Sequence, residues 1–132
     1  MSGSKVILDS NIIIFASKKQ LDIQKLLNPY EDFYVSIITL MEVYGYDFSN
    51  LKEKKLIDEI FSNLKIVDVN VAIAEQVIQY RKNKIKKIKL PDAIILSTAK
   101  YLNSVLISDD WDDFIGFDNK VLIKNIDEFK VF

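Results

Sequence analysis

The chain predicts an α/β fold, a parallel and largely buried sheet with helices on both of its faces. Three observations point there. Short apolar runs recur along the 132 residues: Val6-Ile7-Leu8, Phe33-Tyr34-Val35, Ile66-Val67-Asp68-Val69, Val105-Leu106-Ile107 and Val121-Leu122-Ile123. Most are apolar throughout rather than alternating, which is the pattern of strands covered on both faces. Between them lie stretches with helical spacing, and strands that alternate with helices build parallel sheets.

Each element has a local reason. Val6 to Leu8 forms the first strand, and Asp9-Ser10-Asn11 are helix-capping residue types placed before the apolar run Ile12 to Ala16. A second helical stretch from about Leu21 to Leu27 stops before Pro29. After the second strand, Ser36 caps a helix from Ile37 to Phe48, with Ile37, Leu40, Met41 and Tyr44 on its apolar face. Leu51 to Leu64 is amphipathic, with Leu56, Ile57, Ile60 and Phe61 inward and Lys52, Glu53, Lys55 and Glu59 outward. Val71 to Arg81 turns Ala74, Val77 and Ile78 to the core. Leu90-Pro91-Asp92 starts a helix that runs to Leu102, because proline suits a first turn and an acid there complements the helix dipole. Asp110 to Ile115 and Ile126 to Phe129 complete the chain as short helical turns.

Composition narrows the chemistry. At 132 residues and 49% hydrophobic content the chain is expected to form one domain with a packed core. Met1-Ser2-Gly3-Ser4 reads as a cloning remnant or a disordered leader. Asp9 interrupts the first apolar run too early for a signal peptide, and no apolar stretch approaches the ~20 residues that cross a bilayer. A cytoplasmic protein is the expectation. The net charge of −1 selects no partner class. The absence of cysteine excludes disulfides and thiolate metal sites, and the absence of histidine removes the commonest general base and zinc ligand. A metal, if bound, is held by oxygen, which favours Mg²⁺ or Mn²⁺.

Acids at the edges of apolar elements carry the functional signal. Asp9 ends a strand, Glu42 lies between Met41 and Val43, and Asp92 opens the helix Asp92-Ala93-Ile94-Ile95-Leu96. Four aspartates, Asp109, Asp110, Asp112 and Asp113, crowd directly after Val105-Leu106-Ile107. Ligands collect at the carboxyl ends of strands in such sheets, where Asp9 and the 109–113 cluster both lie. Two carboxylates about 5 Å apart repel by roughly 3 kcal/mol at an effective dielectric near 20. A bound dication reverses that sign, polarises a phosphoryl oxygen and acidifies water, without any histidine. Plainer roles exist for each residue. Asp9 suits a helix cap, Asp92 suits a first turn, Glu42 can reach water from its helix, and an acidic run is commonly a solvated loop.

Four segments resemble the PIN-domain family, specifically the small ribonucleases of the VapC toxin type. They are Leu8-Asp9-Ser10-Asn11, Ser36-Ile37-Ile38-Thr39-Leu40-Met41-Glu42, Leu90-Pro91-Asp92-Ala93-Ile94-Ile95-Leu96-Ser97-Thr98-Ala99 and Leu106-Ile107-Ser108-Asp109-Asp110-Trp111-Asp112-Asp113-Phe114. The resemblance implies a three-layer α/β/α sandwich around a central, mostly parallel sheet of four to five strands. It implies an endoribonuclease using Mg²⁺ or Mn²⁺, the toxin of a toxin–antitoxin pair, with an antitoxin protein as inhibitor and a homodimeric assembly. Matched position by position, Asp9, Glu42, Asp92 and Asp110 take the acidic roles of catalysis and metal binding. Asp113 joins them as an outer metal contributor, with Ser10 and Ser108 in support. Other readings of these acids are a PIN-like module that binds RNA without cutting it, an acid-rich α/β phosphatase, and a protein whose main work is binding a partner. The phosphatase usually carries a paired Asp-x-Asp after the first strand, where this chain has Asn11.

Arg81 to Lys89 holds six basic residues in nine, and Lys84, Lys86, Lys87 and Lys89 are candidates for RNA contact beside Asp92. A solvated helix end is the simpler reading of that run. Tyr44 and Tyr46, just past Glu42, are able either to stack on a base or to pack in an interface, and Trp111 reads as a packing or partner-contact residue.

Overall fold

β1 (Lys5–Leu8) is buried at Val6, Ile7 and Leu8, which makes it a central strand with helices over both faces. The computed structural model describes residues 4–131. From β1 the chain runs through α1 (Ser10–Ser17), α2 (Ile23–Leu27), β2 (Asp32–Ser36), α3 (Ile37–Tyr44), α4 (Leu51–Ser62) and β3 (Lys65–Val67). It continues through α5 (Val71–Arg81), α6 (Leu90–Leu102), β4 (Val105–Ile107), α7 (Trp111–Phe114) and β5 (Ile123–Lys124), then a 3₁₀ turn at Asp127–Phe129. The five strands form one sheet in the order β3-β2-β1-β4-β5, and every neighbouring pair is parallel.

Strand alternation divides two apolar cores. Val6, Leu8, Val35, Val105 and Ile107 face one layer, packed with Ile12, Ile13, Val43, Ile57 and Phe61 of α1, α3 and α4. Ile7 and Leu106 face the other, with Ile73, Val77, Ile95, Leu96 and Phe114 of α5, α6 and α7. This is the expected three-layer α/β/α sandwich. The chain leaves β1 toward β2 and β3, then returns to place β4 on the opposite side of β1. That reversal of direction makes the carboxyl ends of β1 and β4 the natural ligand crevice.

Several expectations shift at the margins. Ile78 is 50% exposed, and Ile73, Val77 and Tyr80 form the core face of α5 instead, in a register set by Asn70 capping the Ile73 N–H at 2.9 Å. Met41 is also exposed, at 57%, because α3 presents Thr39 and Val43 inward. α3 ends at Tyr44 rather than continuing to Phe48. α2 starts at Ile23, where Asp22 caps the Lys25 N–H at 3.2 Å, while Leu21 pairs with Lys130 in an isolated bridge. β3 is an edge strand that stops at Val67 and leaves Ile66 and Val69 exposed. β5 begins at Ile123, and the Leu106 N–H reaches the Leu122 carbonyl just before it. Of the leader, Met1, Ser2 and Gly3 lie outside the described residues. The Ser4 carbonyl accepts the Glu31 N–H at 2.8 Å.

Phe114 is fully buried and anchors α7 to the core beneath the carboxyl end of β4. Phe114→Ala removes that anchor and is expected to cost about 3–5 kcal/mol of stability, read from the midpoint of urea unfolding.

Candidate active site

Asp9 follows β1 without an intervening residue and caps α1, its Oδ1 accepting the Ser10 N–H at 2.8 Å. The other oxygen, Oδ2, accepts the Ser108 hydroxyl at 2.7 Å, and Ser108 follows β4 directly. The Ser108 Oγ in turn accepts the Asp110 N–H at 2.9 Å. One hydroxyl thus orients an acid from each of two neighbouring strand ends. Asn11, a capping residue type and the last residue of the Leu8-Asp9-Ser10-Asn11 motif, adds a second tie. Its Nδ2 donates to Asp110 Oδ2 at 2.9 Å, and its Oδ1 accepts the Asp109 N–H at 3.3 Å. A polar side chain leading the apolar run Ile12-Ile13-Ile14-Phe15 was the available signal for it.

All five sequence-predicted acids meet. Asp9, Glu42, Asp92, Asp110 and Asp113 line one cavity of about 330 Å³, together with Ser10, Asn11, Tyr46 and Lys89. α3 brings Glu42 and the first turn of α6 brings Asp92, with Pro91 beside it. The other two aspartates of the 109–113 cluster stay outside. Asp109 pairs with Lys130 at 2.7 Å, and the Asp112 carbonyl accepts Lys86 Nζ. A larger cavity of about 1010 Å³ lies around Tyr80, Trp111, Phe117 and Leu122. Its one acid, Asp118, is neutralised by Lys100 at 2.6 Å and by the Tyr80 hydroxyl at 2.7 Å. Of these two cavities, the smaller is the one whose acids no lysine or arginine pairs with among the described residues; Asp110 and Asp113 also line a neighbouring cavity of about 380 Å³ with Asp109, Asp112 and Asp127.

The unpaired charge shows in the titration of the acids. Burial and then the charges of Asp9, Asp113, Glu42 and Asp110 push the Asp92 carboxyl up to about 6. Burial raises Asp9 as well, against the opposing hydrogen bonds from Ser108 and Ser10, and Asp110 adds to the rise. Glu42 is raised by burial and by Asp9, with Ser10 opposing. No lysine or arginine forms an ion pair with any of the five acids among the described residues.

The donor set is all oxygen and suits a hard dication. Among the described residues no three of these carboxylates draw close enough to hold one ion together. Mg²⁺ tolerates such spacing, since it takes one or two carboxylates directly and keeps several of its waters. The candidate RNA-contacting lysines divide. Lys89 lines the acidic cavity, and Lys84 and Lys87 are exposed. Lys86 does not point to solvent as expected. Its ammonium sits on the Asp112 and Ile115 carbonyls at the end of α7 and over the Phe117 ring, where a cation offsets the exposed carbonyls of a helix end.

The model of the PIN domain matches residues 6–120. The chain belongs to the PIN-domain family. No curated protein matches the sequence. Among solved structures, a toxin–antitoxin complex from Klebsiella pneumoniae is 30% identical, with a TM-score of 0.73 over 89% of this chain and 95% of that one. FitAcB from Neisseria gonorrhoeae is 26% identical, with a TM-score of 0.72 over 91% and 96%. VapBC2 from Rickettsia felis, bound to a DNA fragment from the promoter, shares the fold at 23% identity, with a TM-score of 0.79 over 93% and 99%.

In this PIN domain the crowding of carboxylates gives a stability signature. An acid whose pKa is raised on folding holds its proton more tightly in the native state. Its stabilisation is complete below the unfolded value and is lost as pH rises through the folded one. For Asp92 that window runs from 3.8 to about 6. Thermal unfolding of the metal-free protein is expected to show a midpoint that falls across this window as pH rises. Asp92→Asn, which cannot ionise, flattens the fall.

Proposed function

We propose that this PIN domain is a metal-dependent endoribonuclease, the toxin of a toxin–antitoxin pair acting in the cytoplasm, with Mg²⁺ or Mn²⁺ as its cofactor. The observation that carries the reading is the meeting of Asp9, Glu42, Asp92, Asp110 and Asp113 in one cavity without a cation paired to them among the described residues. Converging acids that raise one another's pKa values are tolerated where an exogenous cation offsets them. The sheet and its two cores within residues 4–131 support a single PIN unit. The toxin–antitoxin complex among the similar structures supports an antitoxin protein as partner, and the family resemblance implies a homodimer.

Each residue then has a distinct task. Asp9, Asp92 and Asp110 would hold an ion directly or through water, and Asp113 would contribute from the rim. Glu42 would orient the attacking water or a second ion. Ser108 fixes Asp9 and Asp110 together, and Ser10 steadies Asp9 from the other side. A bound ion supplies charge that polarises a phosphoryl oxygen and lowers the pKa of water. Water adds to phosphorus in line with the leaving sugar oxygen, whose bond to phosphorus breaks as it takes up a proton. The phosphatase reading lacks its second acid: position 11 is an amide, and Asn11 is engaged with Asp110 and Asp109.

Labelled RNA is expected to be cut with Mg²⁺ or Mn²⁺ and left intact with EDTA. Asp9→Asn should slow cleavage roughly a hundredfold or more, several kcal/mol of lost charge stabilisation. Full activity in that variant would overturn the proposal. Ser108→Ala leaves every carboxylate in place but unties two of them, and should weaken Mn²⁺ binding about 10–100-fold by calorimetry.

A further inference from the structure

The acidic cavity opens into a groove. Ile14 and Tyr46, which line it, also line a second cavity of about 370 Å³ that includes Phe48 and Lys18. Lys18 and Glu53 pass from there into a third cavity of about 390 Å³ that adds Lys19 and Lys52. These shared wall residues place the three cavities side by side, running from the carboxylates, past an aromatic ring, to a cluster of lysines.

The two tyrosines of this region have parted roles. The Tyr44 ring packs against Phe48 and Phe61 with centroids at 6.2 and 5.2 Å, and its hydroxyl donates to Asp58. Tyr46 is 63% exposed and has no ring partner among the described residues. Lys18, Lys19 and Lys52 are exposed and enter no ion pair among the described residues. Acids are present too: Asp47 and Glu53 line the middle of the track, and the Glu53 carboxylate accepts the Ser49 hydroxyl at 3.0 Å. At the far end the three lysines outnumber Glu53, the one acid there.

We infer that this groove is the path of a single-stranded RNA segment flanking the cleaved bond, with a base stacked on Tyr46 and backbone phosphates on Lys18, Lys19 and Lys52. The inference rests on the nuclease reading above and extends it to the residues that hold the strand outside the acidic cavity. An acid-lined cavity repels a polyanion, and its one lysine, Lys89, is outnumbered by five acids, so most of the affinity for RNA has to come from outside it. Lysines at the end of a groove supply it without competing with a metal ion for those carboxylates. An exposed aromatic face between the two takes any base, at about 1–3 kcal/mol per base stacked. A duplex keeps both faces of its bases stacked and has none to offer Tyr46.

The test separates the groove from the chemistry. Binding of a fluorescein-labelled RNA decamer is measured in EDTA, across a salt series, for the wild type, Tyr46→Ala, Tyr46→Phe and a Lys18→Ala/Lys19→Ala/Lys52→Ala variant. The triple variant is expected to bind less tightly, with a salt slope shallower by about 2, since each phosphate contact contributes about 0.7 on a single strand. Tyr46→Ala loses roughly five- to hundredfold in affinity and Tyr46→Phe regains it. A duplex of the same sequence binds more weakly than the strand and ignores the tyrosine. With Mn²⁺ present, KM rises in Tyr46→Ala and the triple variant while kcat and Mn²⁺ affinity hold. Wild-type affinity and slope in both variants would overturn the groove, leaving it to a protein partner, even where Asp9→Asn abolishes cleavage. Lost binding in the variants with undiminished cleavage by Asp9→Asn would instead keep the groove and sink the nuclease.

Discussion

The hydrogen bond from the Ser108 hydroxyl to Asp9 Oδ2 is the contact on which the site depends. It joins two residues 99 apart in sequence at the carboxyl ends of adjacent parallel strands. Parallel pairing of β1 with β4 sets Leu8 opposite Ile107, so the residues that follow each strand emerge side by side. In an antiparallel pair those ends would point away from each other, and no short hydroxyl could bridge them. The same Ser108 oxygen receives the Asp110 N–H, and Asn11 grips the Asp110 carboxylate from α1. Strand order thus becomes carboxylate geometry through two small polar side chains.

The fold arranges this at an energetic cost. Asp9 is 3% exposed, and burial raises its pKa although three hydrogen bonds, one from Ser108 and two from Ser10, stabilise the charged form. Asp92 gains from its place in the first turn of α6, where the helix dipole favours an anion, yet four neighbouring charges and burial outweigh that gain. Such a cluster in a structural role would be expected to acquire a lysine or to be replaced by neutral residues. The elements that hold the acids are also the most deeply packed: β1, β4 and α6 contribute Ile7, Leu8, Ile95, Leu96, Leu106 and Ile107, each almost wholly shielded from solvent. Rigid packing behind the site is what keeps mutually repelling groups from moving apart.

Much of this was legible in the sequence, for a physical reason. A carboxylate within or beside an apolar run is costly unless a function compensates it, so Asp9, Glu42 and Asp92 stood out before any coordinates, and all three face the same cavity. Buried strands and capped helices were readable from apolar runs and from Asn, Asp and Ser at helix starts. Long-range pairings between polar side chains were not. Nothing local in Asn11 announces Asp110, and nothing in Asp109 announces Lys130. Helix faces were misread where periodicity permits neighbouring registers. Ile78 and Met41 are as apolar as the residues beside them, and only the cap at Asn70 and the seating of α3 on the sheet select Ile73 and Val43 for the interior.

The placement of the lysines completes the argument. Lys130 pairs with Asp109 and Asp127, Lys100 with Asp118, and Lys86 with the carbonyls ending α7. Each of the three sits on an acid or carbonyl other than the Asp110 and Asp113 carboxylates, and Lys89, which lines the acidic cavity, forms no ion pair among the described residues. Had Lys130 reached Asp110 instead of Asp109, an internal ion pair would have quenched the site and removed the need for any external cation. With the ammonium on the adjacent residue, the loop is held by one acid while the next, bonded among the described residues only by the neutral Asn11 amide, keeps its charge for the cavity. Two neighbouring aspartates of identical chemistry therefore do opposite work. The sequence cannot distinguish them by type, only by the partner that the fold delivers to each.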